Sequence, residues 1–286
     1  MKKRGGTNLT EKIKVVITGA AGKMGREMTK GLLKSPKTEV VGAVDLVQVG
    51  TDIGVLNGFP PVGVTISKDL AGVLDRTRPQ VLVDFTVASA ALENAKQAVL
   101  RGVCPVIGTT GLAGGDLEEL HILCEERGIG AVVAPNFSLG AVLMMHFARQ
   151  AARYFPHVEI IEIHHEQKLD APSGTALKTA ELMAEVRAEL ESTFAKDTRP
   201  DHGQGKKEEK IKGVRGGEYQ GFPIHSLRLP GAIAHQEVIF GGQGQLLTIR
   251  HDTTSREAFL PGLLLAIEKV LKLRGVVYGL DKLLEL

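Results

Sequence analysis

A strand-like run, Ile13-Lys14-Val15-Val16-Ile17-Thr18, passes directly into Gly19-Ala20-Ala21-Gly22-Lys23-Met24-Gly25. Apolar residues then recur at Met24, Met28 and Leu32 until Ser35-Pro36 stops them. Strand, glycine turn and helix in that order constrain the fold more than any other stretch. Gly19 permits a tight turn, Gly22 lets a pyrophosphate approach the backbone, and Gly25 lets the helix pack close to the strand. The spacing is G-x-x-G-x-x-G rather than the commoner G-x-G-x-x-G. A second strand, Glu39 to Val44, ends in Asp45, where an acid is expected to accept hydrogen bonds from ribose hydroxyls. Leu46 follows it, so no arginine stands beside the acid to meet a 2′-phosphate, and Lys23 is the alternative cation. NAD and NADP both stay open.

The alternation continues as strand Val81–Thr86, helix Ala90–Leu100, strand Val103–Ile107, helix Asp116–Arg127 and strand Gly130–Ala134. Val47–Ser67 is rich in Gly and Pro without periodicity and reads as loop. The strands lead into polar loops at Asp84-Phe85-Thr86, Gly108-Thr109-Thr110-Gly111 and Ala134-Pro135-Asn136-Phe137-Ser138. Ligands of open parallel sheets sit at strand carboxyl ends, so these loops are expected to line a cofactor cleft. The fold class read from this order is α/β, a Rossmann-like doubly wound parallel sheet. A helix from Ser138 to Phe155 is expected to bridge into a second, α+β domain with an antiparallel or mixed sheet.

That second domain opens on a stretch dense in reactive groups, Glu162 to Ala176. Val158, Ile160, Ile161 and Ile163 are β-branched and interleaved with Glu159 and Glu162, which predicts a strand. His164, Glu166 and Lys168 share one parity. If the extended conformation held through Lys168, they would project to one face and His165 to the other. Asp170-Ala171-Pro172 breaks the strand. Ser173-Gly174-Thr175 then opens an apolar-periodic helix (Leu177, Ala180, Ala184) running to about Phe194. A helix start has unpaired N–H groups and partial positive charge, so this turn suits a carboxylate beside a proton donor. A zinc site needs three or four converging ligands, and neither Cys104 nor Cys124 has a paired spacing, so no metal is expected.

Lys196–Gly217 is charged and Gly-rich and reads as a solvated loop, with a substrate-closing lid as the alternative. Ser226–Leu229, Glu237–Phe240 and Leu246–His251 read as strands of antiparallel hairpins, separated by Pro230-Gly231 and Gly241-Gly242. The outer face of such a sheet needs covering, which predicts an oligomer. The last helix, Phe259–Leu273, is apolar nearly all round and is expected to be buried and to return to the first domain. The domains are thus expected at 13–138 completed by 253–286, and at 139–252.

At 286 residues and 43% hydrophobic, the chain is long enough for two such domains, and a net charge of +2 gives no general attraction to nucleic acid. Two distant cysteines suit a reducing, cytoplasmic setting. There is no run of about 18 apolar residues, so no membrane span is expected. Met1–Thr7 is basic with no apolar stretch after it, which fits a frayed tail rather than a secretory signal.

From Ile13 onward these motifs resemble the 4-hydroxy-tetrahydrodipicolinate reductases, formerly dihydrodipicolinate reductases. Glu162-Ile163-His164-His165 through Lys168-Leu169-Asp170-Ala171-Pro172-Ser173-Gly174-Thr175-Ala176 is similar to that family's hallmark E-x-H-H-x-x-K-x-D-A-P-S-G-T-A. Gly19–Gly25, Gly108–Gly111, Ala134–Ser138, and Leu229-Pro230-Gly231 through His235-Gln236-Glu237 match as well. The resemblance implies hydride transfer from NADH or NADPH to a cyclic imine dicarboxylate by a homotetramer. It assigns His164 as proton donor and Lys168 as second catalytic residue. His165, Gly174, Thr175 and Arg256 become substrate contacts, and the helix-start reading adds Ser173 to them. Gly19, Ala20, Ala21, Gly22, Lys23, Met24, Gly25, Asp45, Gly108, Thr109, Thr110, Ala134, Pro135, Asn136 and Phe137 become coenzyme contacts. Gln245 departs from the family, which often has an acid there. A non-enzymatic NAD(P)-sensing regulator and another two-domain amino-acid dehydrogenase are the rival readings. An aldehyde-oxidising enzyme would need a nucleophilic cysteine.

Overall fold

The computed structural model describes residues 11–193 and 209–286. Strand β1 (Ile13–Thr18) has Val15, Val16 and Ile17 fully buried, as a parallel strand covered on both faces must be. Helix α1 (Lys23–Lys34) buries Gly25, Met28, Thr29 and Leu32, and β2 (Thr38–Val44) lies parallel to β1. Next come α2 (Ile53–Leu56), β3 (Ile66–Ser67), α3 (Leu70–Thr77), β4 (Val81–Asp84), α4 (Ala88–Val99), β5 (Cys104–Ile107), α5 (Gly114–Arg127) and β6 (Gly130–Val133).

The segment expected as plain loop, 47–67, is ordered around one side chain. The Asp52 carboxylate accepts hydrogen bonds from the backbone N–H groups of Gly54, Val55, Val62 and Gly63. Such order leaves no periodicity in the sequence. Helix α3 likewise went unforeseen, although Leu70, Val73 and Leu74 have helical spacing and Asp69 caps its start by accepting from Gly72 N–H.

The second unit, Leu139–Ala258, contains α6 (Leu139–Ala151), β7 (His157–His164), α7 (Gly174–Thr193), β8 (Gly217–Tyr219), β9 (Phe222–Arg228), β10 (Ala234–Gly242) and β11 (Gln245–Thr253). Its sheet is mixed, in the order β11-β10-β7-β9-β8. β10 and β11 form the expected antiparallel hairpin, but β9 and β10 do not pair, because β7 lies between them, parallel to β9. The Leu229 N–H bonds the His164 carbonyl (3.0 Å), so Pro230-Gly231 passes the end of β7 instead of turning back. On one face Val158, Ile160, Phe222, Ile224, Val238 and Phe240 pack against Ala176, Ala180, Met183 and Val186 of α7. Phe194 and residues 196–208 of the expected charged loop lie outside the described residues, as does the N-terminal tail. Residues 209–215 are exposed turns.

A short 3-10 turn, Arg256–Phe259, precedes α8 (Leu260–Val270), β12 (Gly275–Tyr278) and α9 (Leu280–Leu284). The first unit, which runs to Ser138, resumes at Phe259, so Arg256 belongs to the second unit. With β12 parallel to β6, the first unit's sheet reads β12-β6-β5-β4-β1-β2-β3, entirely parallel. The strand order reverses between β1 and β4, the switch point at which such sheets bind ligands. Among the described residues no helix is long and apolar enough to cross a membrane.

Candidate active site

In the first unit the glycine turn is built by close approach. Gly19 has φ +72°, and a Cβ there would lie 2.5 Å from the Phe85 carbonyl oxygen. A Cβ at Gly25 would collide with the Gly19 carbonyl, so helix and turn meet backbone to backbone. α1 starts at Gly22 with no side-chain cap and no acid in its first turn, leaving its N–H groups open to an anion. Asp45, at the end of β2, accepts from Ala21 N–H (2.9 Å) and Val47 N–H (3.1 Å), which braces the acid against the turn. These residues fit a dinucleotide: a bare helix start for the pyrophosphate and an oriented carboxylate for the ribose.

Beneath them lies Asp84, fully buried. Its Oδ1 accepts from Thr86 N–H, Thr86 Oγ1 and Thr109 Oγ1, and its Oδ2 from Thr18 Oγ1 and Asn94 Nδ2, at 2.6–3.0 Å. Thr109 therefore turns inward. Ala134 and Phe137 are also buried, Phe137 edge-on to Phe85 with ring centroids 6.0 Å apart, so these two shape the loop from within. Thr110 and Pro135 are exposed, and Asn136 accepts from Ser138 N–H.

In the second unit the helix-covered sheet face changes character along its length. Past the apolar pairs come Glu162 opposite Gln236 and Ser226, then His164 opposite Ala234 and Arg228. Glu162, which reads in sequence as a polar interleaf, is fully buried. Its Oε2 lies 2.5 Å from His164 Nδ1 and 2.9 Å from Arg228 Nη1, and its Oε1 accepts from Arg228 Nη2 (2.9 Å) and Ser173 N–H (3.2 Å). Burial pushes the Glu162 carboxyl up, but hydrogen bonds from His164, Arg228 and Ser226 outweigh it and hold it at about 2. It is thus ionised across any working pH.

The strand ends at His164, and Lys168 N–H bonds back to the His165 carbonyl (3.1 Å), so the parity expected through Lys168 is broken by a turn. The Lys168 ammonium sits on both oxygens of Asp170 (2.8 Å each) and lowers that carboxyl's pKa. Arg228 donates to the Asp170 carbonyl (2.7 Å), tying this loop to the buried pair. Ser173 differs from expectation: it is buried, its N–H goes to Glu162, and its Oγ caps α7 by accepting from Ala176 N–H. It frames the seat, while Gly174 is exposed with open space where a Cβ would stand, and Thr175 follows it. Gln236 Nε2 donates to Thr179 Oγ1, which donates to the Thr175 carbonyl, a second brace on the same turn. Arg256 is exposed in its 3-10 turn, and among the described residues no hydrogen bond joins it to this cluster.

Sequence reasoning missed Glu162, Arg228 and Gln236 as members of the site. The available signal for Glu162 was its parity with Val158 and Ile160, the buried face. Cys104 and Cys124 are buried and unpaired, and burial pushes the Cys124 thiol up to about 12, so neither offers a thiolate nucleophile.

Family models described as dihydrodipicolinate reductase, N-terminus and C-terminus, match residues 13–137 and 140–284. The chain is 68% identical over 274 residues to a 4-hydroxy-tetrahydrodipicolinate reductase of Moorella thermoacetica, covering 96% of this chain and 98% of that protein. It is 52% identical to one of Desulfitobacterium hafniense, covering 96% and 100%. A dipicolinate-bound dihydrodipicolinate reductase structure from Paenisporosarcina sp. TG-14 superposes with a TM-score of 0.81 at 43% identity, covering 95% of this chain and 99% of that one. An amine dehydrogenase from Mycobacterium smegmatis, at 16% identity and a TM-score of 0.65 with 96% of each chain covered, shares the fold alone.

Proposed function

The chain belongs to the dihydrodipicolinate reductase family, and from that premise we propose that it reduces 4-hydroxy-tetrahydrodipicolinate, a cyclic imine dicarboxylate, to tetrahydrodipicolinate with loss of water, in lysine and diaminopimelate biosynthesis. The observation that carries this reading is the buried Glu162 carboxylate, which holds an imidazole and an anion-binding helix start together. NADH or NADPH, when bound, supplies the hydride.

The chain's own residues do the rest. Gly19 to Gly25 and Asp45, with the loops at Gly108 to Thr110 and Ala134 to Phe137, hold the coenzyme in the first unit. In the second unit His164 delivers the proton that a reduced C=N bond requires, from Nε2, because Nδ1 is engaged by Glu162. The N–H groups of Gly174 and Thr175 receive one substrate carboxylate, and His165 and Arg256 serve the other. Lys168 shifts from Asp170 to the substrate. The Asp170 carboxylate it leaves is 66% exposed, so water can take over that carboxylate's hydrogen bonds.

The test couples freshly made product of pyruvate and aspartate semialdehyde condensation to this protein and follows loss of reduced coenzyme. Consumption is expected with both coenzymes, with the lower KM for NADH, since Asp45 next to Leu46 offers a 2′-phosphate a negative charge and no adjacent cation. No consumption while both coenzymes bind would leave the coenzyme-sensing regulator as the reading, since such a protein does not need both His164 and Lys168.

The outer face of the second sheet exposes Leu227 and Leu246 beside partly buried Ile161, Ile163 and Ile239, which supports a second copy covering it. A homotetramer is the expected species in light scattering, and a monomeric mass would refute it. Two buried, unpaired cysteines fit a cytoplasmic setting.

A further inference from the structure

We propose that Glu162, neutralised by Arg228, is a positioning residue for proton transfer: one buried carboxylate fixes the tautomer of His164 and registers its ring against the substrate-carboxylate turn at Ser173-Gly174-Thr175. The proposal rests on the reading of His164 as proton donor.

Glu162 has no solvent contact, so every lone pair that matters must be met from within the protein. Its partners come from separate segments: His164 from the end of β7, Arg228 from β9, and the N–H of Ser173 from the start of α7. Arg228 reaches on to the carbonyl of Asp170, in the loop that carries Lys168. Four segments bearing chemistry are therefore indexed to one ion pair.

An ionised carboxylate only accepts, so the nitrogen facing it, Nδ1, carries a hydrogen. Nε2 is then the nitrogen that gains and loses the reacting proton. After it gives that proton up, the ring is left in the Nδ1–H form that Glu162 already holds. Across the sheet His164 lies opposite the neutral Ala234 of β10 and Arg228 of β9. Glu162 is the acceptor that the structure gives to His164 Nδ1 among the described residues.

Stability does not by itself explain such a pair. Replacing both members of a buried ion pair by neutral side chains of similar size is often neutral or stabilising, whereas removing one strands the other. That asymmetry supplies the test. Glu162→Gln alone is expected to lose stability and activity together. Adding Arg228→Met should restore the melting temperature and bring the affinity for dipicolinate, used as the probe, to within about threefold of wild type. Turnover in the double variant should stay about 10- to 100-fold down. If kcat recovers along with stability and dipicolinate affinity, the pair is structural only and the proposal fails.

A measurement on the unmodified protein guards against variants that do not fold. Long-range nitrogen–carbon-proton NMR of the histidine rings, with His164 assigned by comparison with His164→Gln, should show neutral His164 protonated at Nδ1. A neutral ring protonated at Nε2 would overturn the proposal. His164→Gln leaves Glu162 and Arg228 in place, so normal turnover in that variant would remove the donor assignment itself, and that failure is separable from one confined to Glu162.

Discussion

Replacing His164 by Gln is expected to lower kcat by about 10²- to 10⁴-fold, the range supplied by a positioned general acid, while dipicolinate and NADH bind within a few-fold of wild type. The geometry sets both halves of that expectation. His164 is the last residue of β7, its side chain is 16% exposed, and its Nδ1 is occupied, which leaves Nε2 as the nitrogen to give a proton. Gln keeps a polar group of similar reach that the Glu162–Arg228 pair tolerates, so Ser173 N–H remains anchored and the carboxylate seat stays formed. Gln has no ring proton to transfer, so what remains of the rate must draw its proton from elsewhere. Lys168→Met, by contrast, removes a cation that pairs with the substrate and should act mainly on substrate KM. Full turnover in His164→Gln would shift the donor role to Lys168.

How far this site was legible depends on what kind of order each part carries. The glycine turn, α1 and β2 follow from local spacing, and Gly19 and Gly25 show why: their missing Cβ atoms are where backbone meets backbone. The fold of the second unit was legible as strands and as the hairpin of β10 with β11, but not in its other pairings. Nothing local in Ser226–Leu229 says that β7, whose paired residues lie 64 positions earlier, will sit between it and β10. The same gap hid the role of Glu162. In the sequence it is an acid interleaved among Val158, Ile160, Ile161 and Ile163, which leaves its face open; Ile161 and Ile163 lie on the outer sheet face and Glu162 lies under α7. A charge on the core side is affordable only with Arg228, which arrives from another strand. The parity argument for Lys168 failed for a local reason, the turn closed by Lys168 N–H onto His165. Asp52 and Asp84 belong to a third kind, single carboxylates that organise loops through backbone and hydroxyl donors, which leaves no pattern to read.

Asp84 also supports the second large expectation. Asp84→Ala should destabilise the first unit by roughly 3–5 kcal/mol and weaken NADH binding at least tenfold, with dipicolinate binding retained. The donors it would strand are Thr18 Oγ1, Thr86 N–H and Oγ1, Asn94 Nδ2 and Thr109 Oγ1. A buried donor left without an acceptor costs about 1–3 kcal/mol, and water entering the vacated space recovers part of that. Thr18, Thr86 and Thr109 sit where β1, β4 and β5 run into their loops, so the same loss unpins three segments of the coenzyme site. Asp84→Asn separates hydrogen bonding from charge. With its amide nitrogen at the Oδ2 position, the Thr18 hydroxyl can rotate to accept, and Asn94 can turn its own oxygen inward. The Asn variant should therefore keep most of the stability that Ala loses. Urea unfolding with parallel NADH fluorescence titration reads both quantities. A wild-type midpoint and NADH affinity in Asp84→Ala would show that water replaces the carboxylate at no cost and that the loops hold themselves.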